Sequence, residues 1–390
     1  MNMRMHHRSS ILGVQGRSAA LTMMIALATV VVATGSAQGQ TFTTFSAAGA
    51  GTAENEGTIA TSINDAGTIA GFYIDSSLVR HGFVRTTAGK ITGFEASGAG
   101  TESKQGTIAY AINSAGTIAG AYHDSSGLWH GFVRTAAGKI TEFSASGAGT
   151  TAGQGTYAFA INSAGVIAGL YIDDDWVIHG FARAADGTIT EFNVLEAGAG
   201  ELQGTGAFCI NSDGDIAGYY VDSSSVAHGF ERSSSDTITT FNASGAGTGS
   251  DQGTGGNFPN TLIFQIGINT AGTIAGYYVD DSNAYHGFQR SSAGKLTEFR
   301  ASGAGKAANQ GTIAAGINTA GTITGYYIDA SGVGHGFSRA SGGKITGFEA
   351  PGAGTASGQG TVGYAINTAG TITGTYVDGS YVFHGYLQNP

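Results

Sequence analysis

Seven times along the chain an aspartate stands six residues before a histidine. The pairs are Asp75 and His81, Asp124 and His130, Asp173 and His179, Asp222 and His228, Asp280 and His286, Asp329 and His335, and Asp378 and His384. A carboxylate within reach of an imidazole is half of a nucleophile-activating triad, a general base held in one tautomer, or two donors of a metal site. Catalysis, however, needs one site, and seven near-identical copies are what a structural hydrogen bond produces. In that reading the carboxylate accepts from an imidazole N–H and fixes both loop and tautomer. A structural role is therefore expected for all seven pairs. Each histidine pKa should be raised by its aspartate wherever burial does not outweigh the attraction.

Other chemistry is weakly supported. Asp173-Asp174-Asp175 and Asp280-Asp281 are acidic runs in the same loops, and calcium is the ion to consider. They lack the D-x-D-x-D-G spacing that gathers several oxygens round one ion, so solvated turns and no cofactor are expected. The Gly-Ala-Gly-Thr links have no G-x-x-x-x-G-K-[ST] context and are not phosphate loops. Cys209 is the only cysteine; it replaces a small residue in a strand and cannot form an intrachain disulfide. The polar positions unique to one copy are few: Arg80, His123, Asp174, Asp175, Glu201 and Asn257.

The elements that position these residues repeat as well. The stretch Ile112–Phe132 has counterparts beginning at Ile63, Ile161, Ile210, Ile268, Ile317 and Ile366, and its closing histidines are spaced 49, 49, 49, 58, 49 and 49 residues apart. A fixed period of this length means an array or a closed ring of like units. In one unit, Gly106–Asn113 and Thr117–Asp124 read as strands joined by an Asn-Ser-Ala-Gly turn. His130–Arg134 and Lys139–Phe143 form a second hairpin, and a Gly/Ala/Ser link leads on. Four short strands per unit predict an all-β, seven-bladed β-propeller with four antiparallel strands per blade. The seventh unit stops before a fourth strand, whereas Thr41–Phe45 matches one. The N-terminal strand is therefore expected to pair around His384 to Gln388, completing the last blade and closing the ring. An open solenoid of the same units would have atypical end caps, and these termini are complementary instead.

Residues 1–39 read as a secretory signal peptide: Arg4, Arg8 and Arg17, an apolar run from Ala19 to Thr34, then small residues. Residues 40–390 are then a single propeller domain, secreted or periplasmic, with no membrane anchor once the signal is removed. Losing those three arginines takes the formal charge from −10 to −13. That balance argues against nucleic acid and anionic membranes as partners. A monomer is expected.

The pattern I-N-x-x-G-x-I-x-G-x-Y-x-D followed by H-G-F resembles the extracellular HAF-type repeats of bacterial secreted proteins, over nearly all of residues 41–390. The chain departs from that pattern in carrying Gly for Ala, and Arg85, Arg134, Arg183, Arg232, Arg290 and Arg339 where an aromatic is common. The resemblance implies a secreted repeat protein and adds little about chemistry.

A specific ligand breaks ring symmetry, so positions that vary between units are candidates for binding. The loops before each histidine hold Arg80, Trp129, Trp176, Tyr285 and Tyr381, and the fifth unit alone carries an insertion within residues 255–263, with Phe258. Trp129 and Trp176 are expected to form a short exposed platform, extended by Tyr285 and Phe258, for a carbohydrate or protein ligand. The expectation is a secreted, non-enzymatic binding module. An extracellular polysaccharide lyase or hydrolase with its site at the channel mouth, or a passive matrix protein, are the alternatives.

Overall fold

The computed structural model describes residues 40–256 and 265–390, which fall within one compact unit, Gly39–Pro390. The proposed signal segment and Phe258 lie outside the described residues. Among the described residues, every regular element is a strand. After β1 (Thr41–Phe45), the first repeat comprises β2 (Gly57–Ile63), β3 (Ile69–Ile74), β4 (Arg80–Arg85) and β5 (Ile91–Phe94). The pattern of β2 to β5 recurs through the chain, except that in the fifth repeat the insertion splits the first strand into Gly253–Thr254 and Gly267–Ile268.

The expected set of seven separate four-stranded blades is not what forms. All 29 strands belong to one sheet. The third strand of each repeat is bridged in parallel to the first strand of the next: Arg80 to Gly106, Trp129 to Gly155, Ile178 to Gly204, Ala227 to Gly253, Tyr285 to Gly311 and Gly334 to Gly360. With Phe383 bridged to Gly57, the circuit closes as a barrel of 21 strands, three from each repeat. Each fourth strand lies outside the circuit, paired only to its third strand. The physical reason is the glycine that opens each first strand. Gly155 has φ of 119°, and a Cβ there would sit 2.1 Å from the Trp129 carbonyl oxygen, so only glycine lets the two backbones meet.

The closure differs from the expected one for the same reason. β1 does pair antiparallel with the last strand, Phe383–Asn389, from Thr41 opposite Asn389 to Phe45 opposite Gly385. It is the outer flap of the seventh repeat, however, and the Gly57–Phe383 bridge closes the circuit.

Side-chain hydrogen bonds follow the same sevenfold order. The Asn of each first hairpin turn is buried, and its Oδ1 accepts the N–H four residues on, as in Asn64 from Thr68 at 2.9 Å. Its Nδ2 donates to the carbonyl of the next repeat's Asn. The chain of donors runs Asn64, Asn113, Asn162, Asn211, Asn269, Asn318 and Asn367, and returns to Asn64 at 3.3 Å. Such a ring satisfies buried amides that would otherwise be costly. The links are pinned too: a buried threonine in each first strand accepts a link N–H, as Thr156 does from Ala145 at 3.0 Å.

Packing within a repeat centres on the phenylalanine of His-Gly-Phe. Phe83, Phe132, Phe181, Phe230, Phe288 and Phe337 are 0% exposed, as is Tyr386 in the seventh. Each is worth about 1.5–3 kcal/mol of burial. Between repeats, each arginine that departs from the HAF-type pattern lies over a phenylalanine of the preceding fourth strand. Arg85 over Phe45 and Arg134 over Phe94 are both at 4.7 Å, a cation–π contact strengthened by burial.

Candidate functional site

Each aspartate of the recurring pair serves two structural purposes. In the third repeat, Asp173 Oδ1 accepts the N–H groups of Asp175 at 2.9 Å and Val177 at 2.8 Å, forming the turn. Its Oδ2 takes the Nε2–H of His179 at 3.0 Å. The imidazole lies flat on Tyr171 with centroids 4.8 Å apart. All seven histidines repeat this, at 2.8 Å for His286 to 3.3 Å for His335. With both carboxylate oxygens engaged and one ring face covered, the pairs act as fixings for the loop. Among the described residues, no three His, Cys, Asp or Glu side chains come together as a metal donor set.

The His81 pKa is raised, but chiefly by Glu95, whose Oε1 lies 2.6 Å from Nδ1, with burial opposing and Asp75 contributing less. The aspartates shift consistently. For Asp280, burial pushes upward, but hydrogen bonds from the Ser282 hydroxyl, the Ala284 N–H and His286 bring it down to about 2. Asp75, Asp124, Asp173, Asp222, Asp329 and Asp378 are lowered in the same way. An aspartate depressed below its unfolded value, about 3.9, contributes stability above that value and loses it as pH falls through the folded one. The raised His81 has the opposite sign: its contribution is present below about 6.5 and fades as pH rises through its folded value. Thermal denaturation should therefore show stability falling steeply between about pH 4 and pH 2, with a shallower fall in Asp280→Asn. A flat profile through that interval would contradict this role for the aspartates.

The loop residues proposed for binding have separate fates. Trp129 is 8% exposed, stacked between His123 at 4.6 Å and Tyr157 at 4.8 Å. It is core, so the expected two-tryptophan platform does not exist. Trp176 is half-buried at φ of 63° and lies over Gly153. Tyr381 donates to the Ser357 carbonyl at 3.2 Å, and Tyr285 to Asn309 Oδ1 at 3.0 Å, each pinned to a neighbouring link. Arg80 donates to the Lys104 carbonyl; burial lowers its pKa, countered by Tyr110 and Tyr157 nearby. Cys209 is buried, which pushes its thiol up to about 12.

Arg80, Trp129 and Tyr285 nevertheless share one register position, the residue bridged to the next repeat's glycine. They flank an axial wall that the loop variation did not disclose. In six repeats the first strand carries a β-bulge, as between Ala109 and Ala111. The bulged residues are Thr61, Tyr110, Phe159, Phe208, Ala315 and Tyr364, with Ile266 at the matching place in the fifth repeat. A bulge re-aims a side chain, and these seven line an axial cavity of about 170 Å³ together with Ser62, Ala111 and Ala160. The signal was present in the sequence as a first-strand position that changes between Thr, Tyr, Phe, Ile and Ala from repeat to repeat.

The second strands add a layer that divides the wall. At equivalent register, repeats one to four place Phe72, Ala121, Leu170 and Tyr219, all buried. Repeats five to seven place Tyr277, Tyr326 and Thr375. Tyr277, Tyr285, Tyr326 and Tyr364 are half-buried and solvent-accessible. The Tyr326 pKa is raised by burial first, then by the phenols of Tyr364, Tyr277 and Tyr285, which are its neighbours. Thr375 is 2% exposed, and its Oγ1 has no hydrogen-bond partner. At the register that repeats one to four fill with buried side chains, repeats five and six thus place accessible phenols and repeat seven an unpartnered buried hydroxyl.

Comparison with known proteins defines the class at the level of fold. No family model matches the chain, and no curated protein is detectably similar to it. Among solved structures, the BP39L lectin from Burkholderia pseudomallei is similar with a TM-score of 0.51 and 10% identity, over 85% of this chain and 98% of the lectin. Puromycin hydrolase has a TM-score of 0.51 and 10% identity over 84% of this chain, which spans about half (51%) of the hydrolase. The Aleuria aurantia lectin is matched over 71% of this chain and 89% of its own at 12% identity, with a TM-score of 0.37, too low to add to the comparison. At these identities the likeness is one of fold alone: a closed all-β repeat architecture that a lectin and part of a hydrolase share.

Proposed function

We propose that the protein is a non-enzymatic carbohydrate-binding module acting outside the cytoplasm, with its site in the recess of Tyr277, Tyr285, Tyr326, Tyr364 and Thr375. The observation that carries this reading is the break in repeat symmetry: phenols and an unpartnered buried hydroxyl stand where the other repeats place packed core. A sugar offers what such a wall lacks, an apolar ring face for the aromatics and hydroxyls for hydrogen bonds. The phenol pKa values are raised by burial, so these groups hold their protons at neutral pH and suit binding better than proton abstraction. The fold shared with a lectin agrees with this reading. The signal-like first 39 residues and the HAF-type pattern support the location.

The test is a screen of neutral oligosaccharides, followed by calorimetry on the best ligand. Tyr326→Ala should weaken binding by about two- to tenfold, the equivalent of the 0.5–1.5 kcal/mol a well-placed aromatic contact supplies. Binding unaffected by Tyr326→Ala, or no binding to any neutral glycan, would contradict the assignment.

A further inference from the structure

A second feature lies away from the axis, where the fifth and sixth repeats meet. Arg339 is 7% exposed and stacks on Phe299 with its guanidinium carbon 4.6 Å from the ring centroid. Its Nη1 donates to Gln289 Oε1 at 2.8 Å, and its Nε has no partner, as is also true of Arg85, Arg134, Arg183 and Arg290. What differs is the facing residue on the preceding repeat. Arg290 meets Glu231 at 2.6 Å, an ion pair that neutralises it. The corresponding positions opposite Arg134 and Arg183 hold Val84 and Val133. Arg339 alone among the six arginines faces a neutral amide. Among the described residues no carboxylate pairs with it. Beside it opens a cleft of about 280 Å³ lined by Gln289, Ser291, Lys295, Thr297, Ser341 and Gly342. The cleft therefore holds two cations, three hydroxyls and an amide, and no acid.

A mostly buried guanidinium without a counter-ion is unfavourable, and a compact oxyanion beside it relieves that cost while matching the planar donor fork. We propose that this cleft recognises an oxyanion substituent on a sugar, a carboxylate or a sulfate ester, as a second site independent of the axial recess. Lys295 supplies the second positive charge, and Ser291, Thr297 and Ser341 supply hydroxyls for the sugar. The repeats themselves provide tolerated substitutions. The seventh repeat carries Gln388 where Arg339 stands, and the fourth carries Glu231 where Gln289 stands.

Calorimetric titration of the full chain with glucuronate, glucose 6-sulfate and glucose separates the outcomes. Glucuronate or the sulfate ester should bind at least about tenfold more tightly than glucose, with an affinity that falls as salt rises; which of the two binds identifies the oxyanion. Arg339→Gln should remove that preference. Gln289→Glu should also remove it, by placing an internal carboxylate on Arg339 as Glu231 is placed on Arg290. Because Gln289→Glu reproduces the Glu231–Arg290 arrangement, it keeps the fold and tests the site even where Arg339→Gln destabilises the chain. Tyr326→Ala should leave oxyanion binding unchanged, which keeps this site's failure distinct from that of the axial one. Equal affinity for the three sugars, or an oxyanion preference that survives Gln289→Glu, would overturn the proposal.

Discussion

Gly155→Val should destabilise the protein by at least about 3 kcal/mol. The residue lies at φ of 119°, a region that side-chain-bearing residues occupy at a cost of about 1–3 kcal/mol each. The clash adds to this. A Cβ would lie 2.1 Å from the Trp129 carbonyl oxygen and 2.8 Å from that residue's N and C atoms. These are backbone atoms held by the parallel bridge and by the Trp129 N–H bond to the Gln154 carbonyl at 2.9 Å. The circuit would have to open between the second and third repeats. Equilibrium urea unfolding measures the effect, and Gly342→Val is the control, since a Cβ there meets nothing within 4 Å. Equal midpoints for the two variants would mean that the bridge is not what joins the repeats.

Trp129→Ala should cost about 3–5 kcal/mol, the range for truncating a buried aromatic. The indole is stacked on both faces, by His123 and Tyr157, and belongs to the largest apolar cluster of the fold. Trp176→Ala should cost clearly less, because that indole is half-buried. Side-by-side denaturation of the two variants, read by circular dichroism, checks the contrast. Similar losses would place both tryptophans in one environment, which the structure does not.

Much of this fold was written in the repeat. The strand positions, the hairpin turns opened by Asn, the structural Asp–His pair and the pairing of Thr41–Phe45 with the last strand all follow from local pattern and from matching the two ends. The linkage between repeats does not. The Gly of Gln-Gly-Thr reads as the start of a strand, and its parallel partner lies 26 residues earlier, at Trp129 for Gly155; no periodicity within a strand encodes that contact. This is why separate blades were expected where one closed sheet forms.

The candidate site was hidden for a related reason. Variation in the loops is easy to see, whereas Tyr110, Phe159 and Tyr364 vary inside a strand whose bulge alone turns them toward the axis. Trp129 and Trp176 looked alike because both precede a histidine. Trp129 stands one residue before His130 and Trp176 three before His179, so one lies on the strand and the other at the turn.

The most direct test of the axial recess is Thr375→Val, read twice. Valine keeps the shape and removes a buried hydroxyl that has no partner in the free protein, so stability should be unchanged or rise by up to about 1–2 kcal/mol. If that hydroxyl is held for a sugar, the same variant should bind the best neutral oligosaccharide about tenfold more weakly, a loss of about 1.4 kcal/mol. A more stable protein that binds less is the expected result. A protein that binds as before, whatever its stability, would contradict the assignment of the recess.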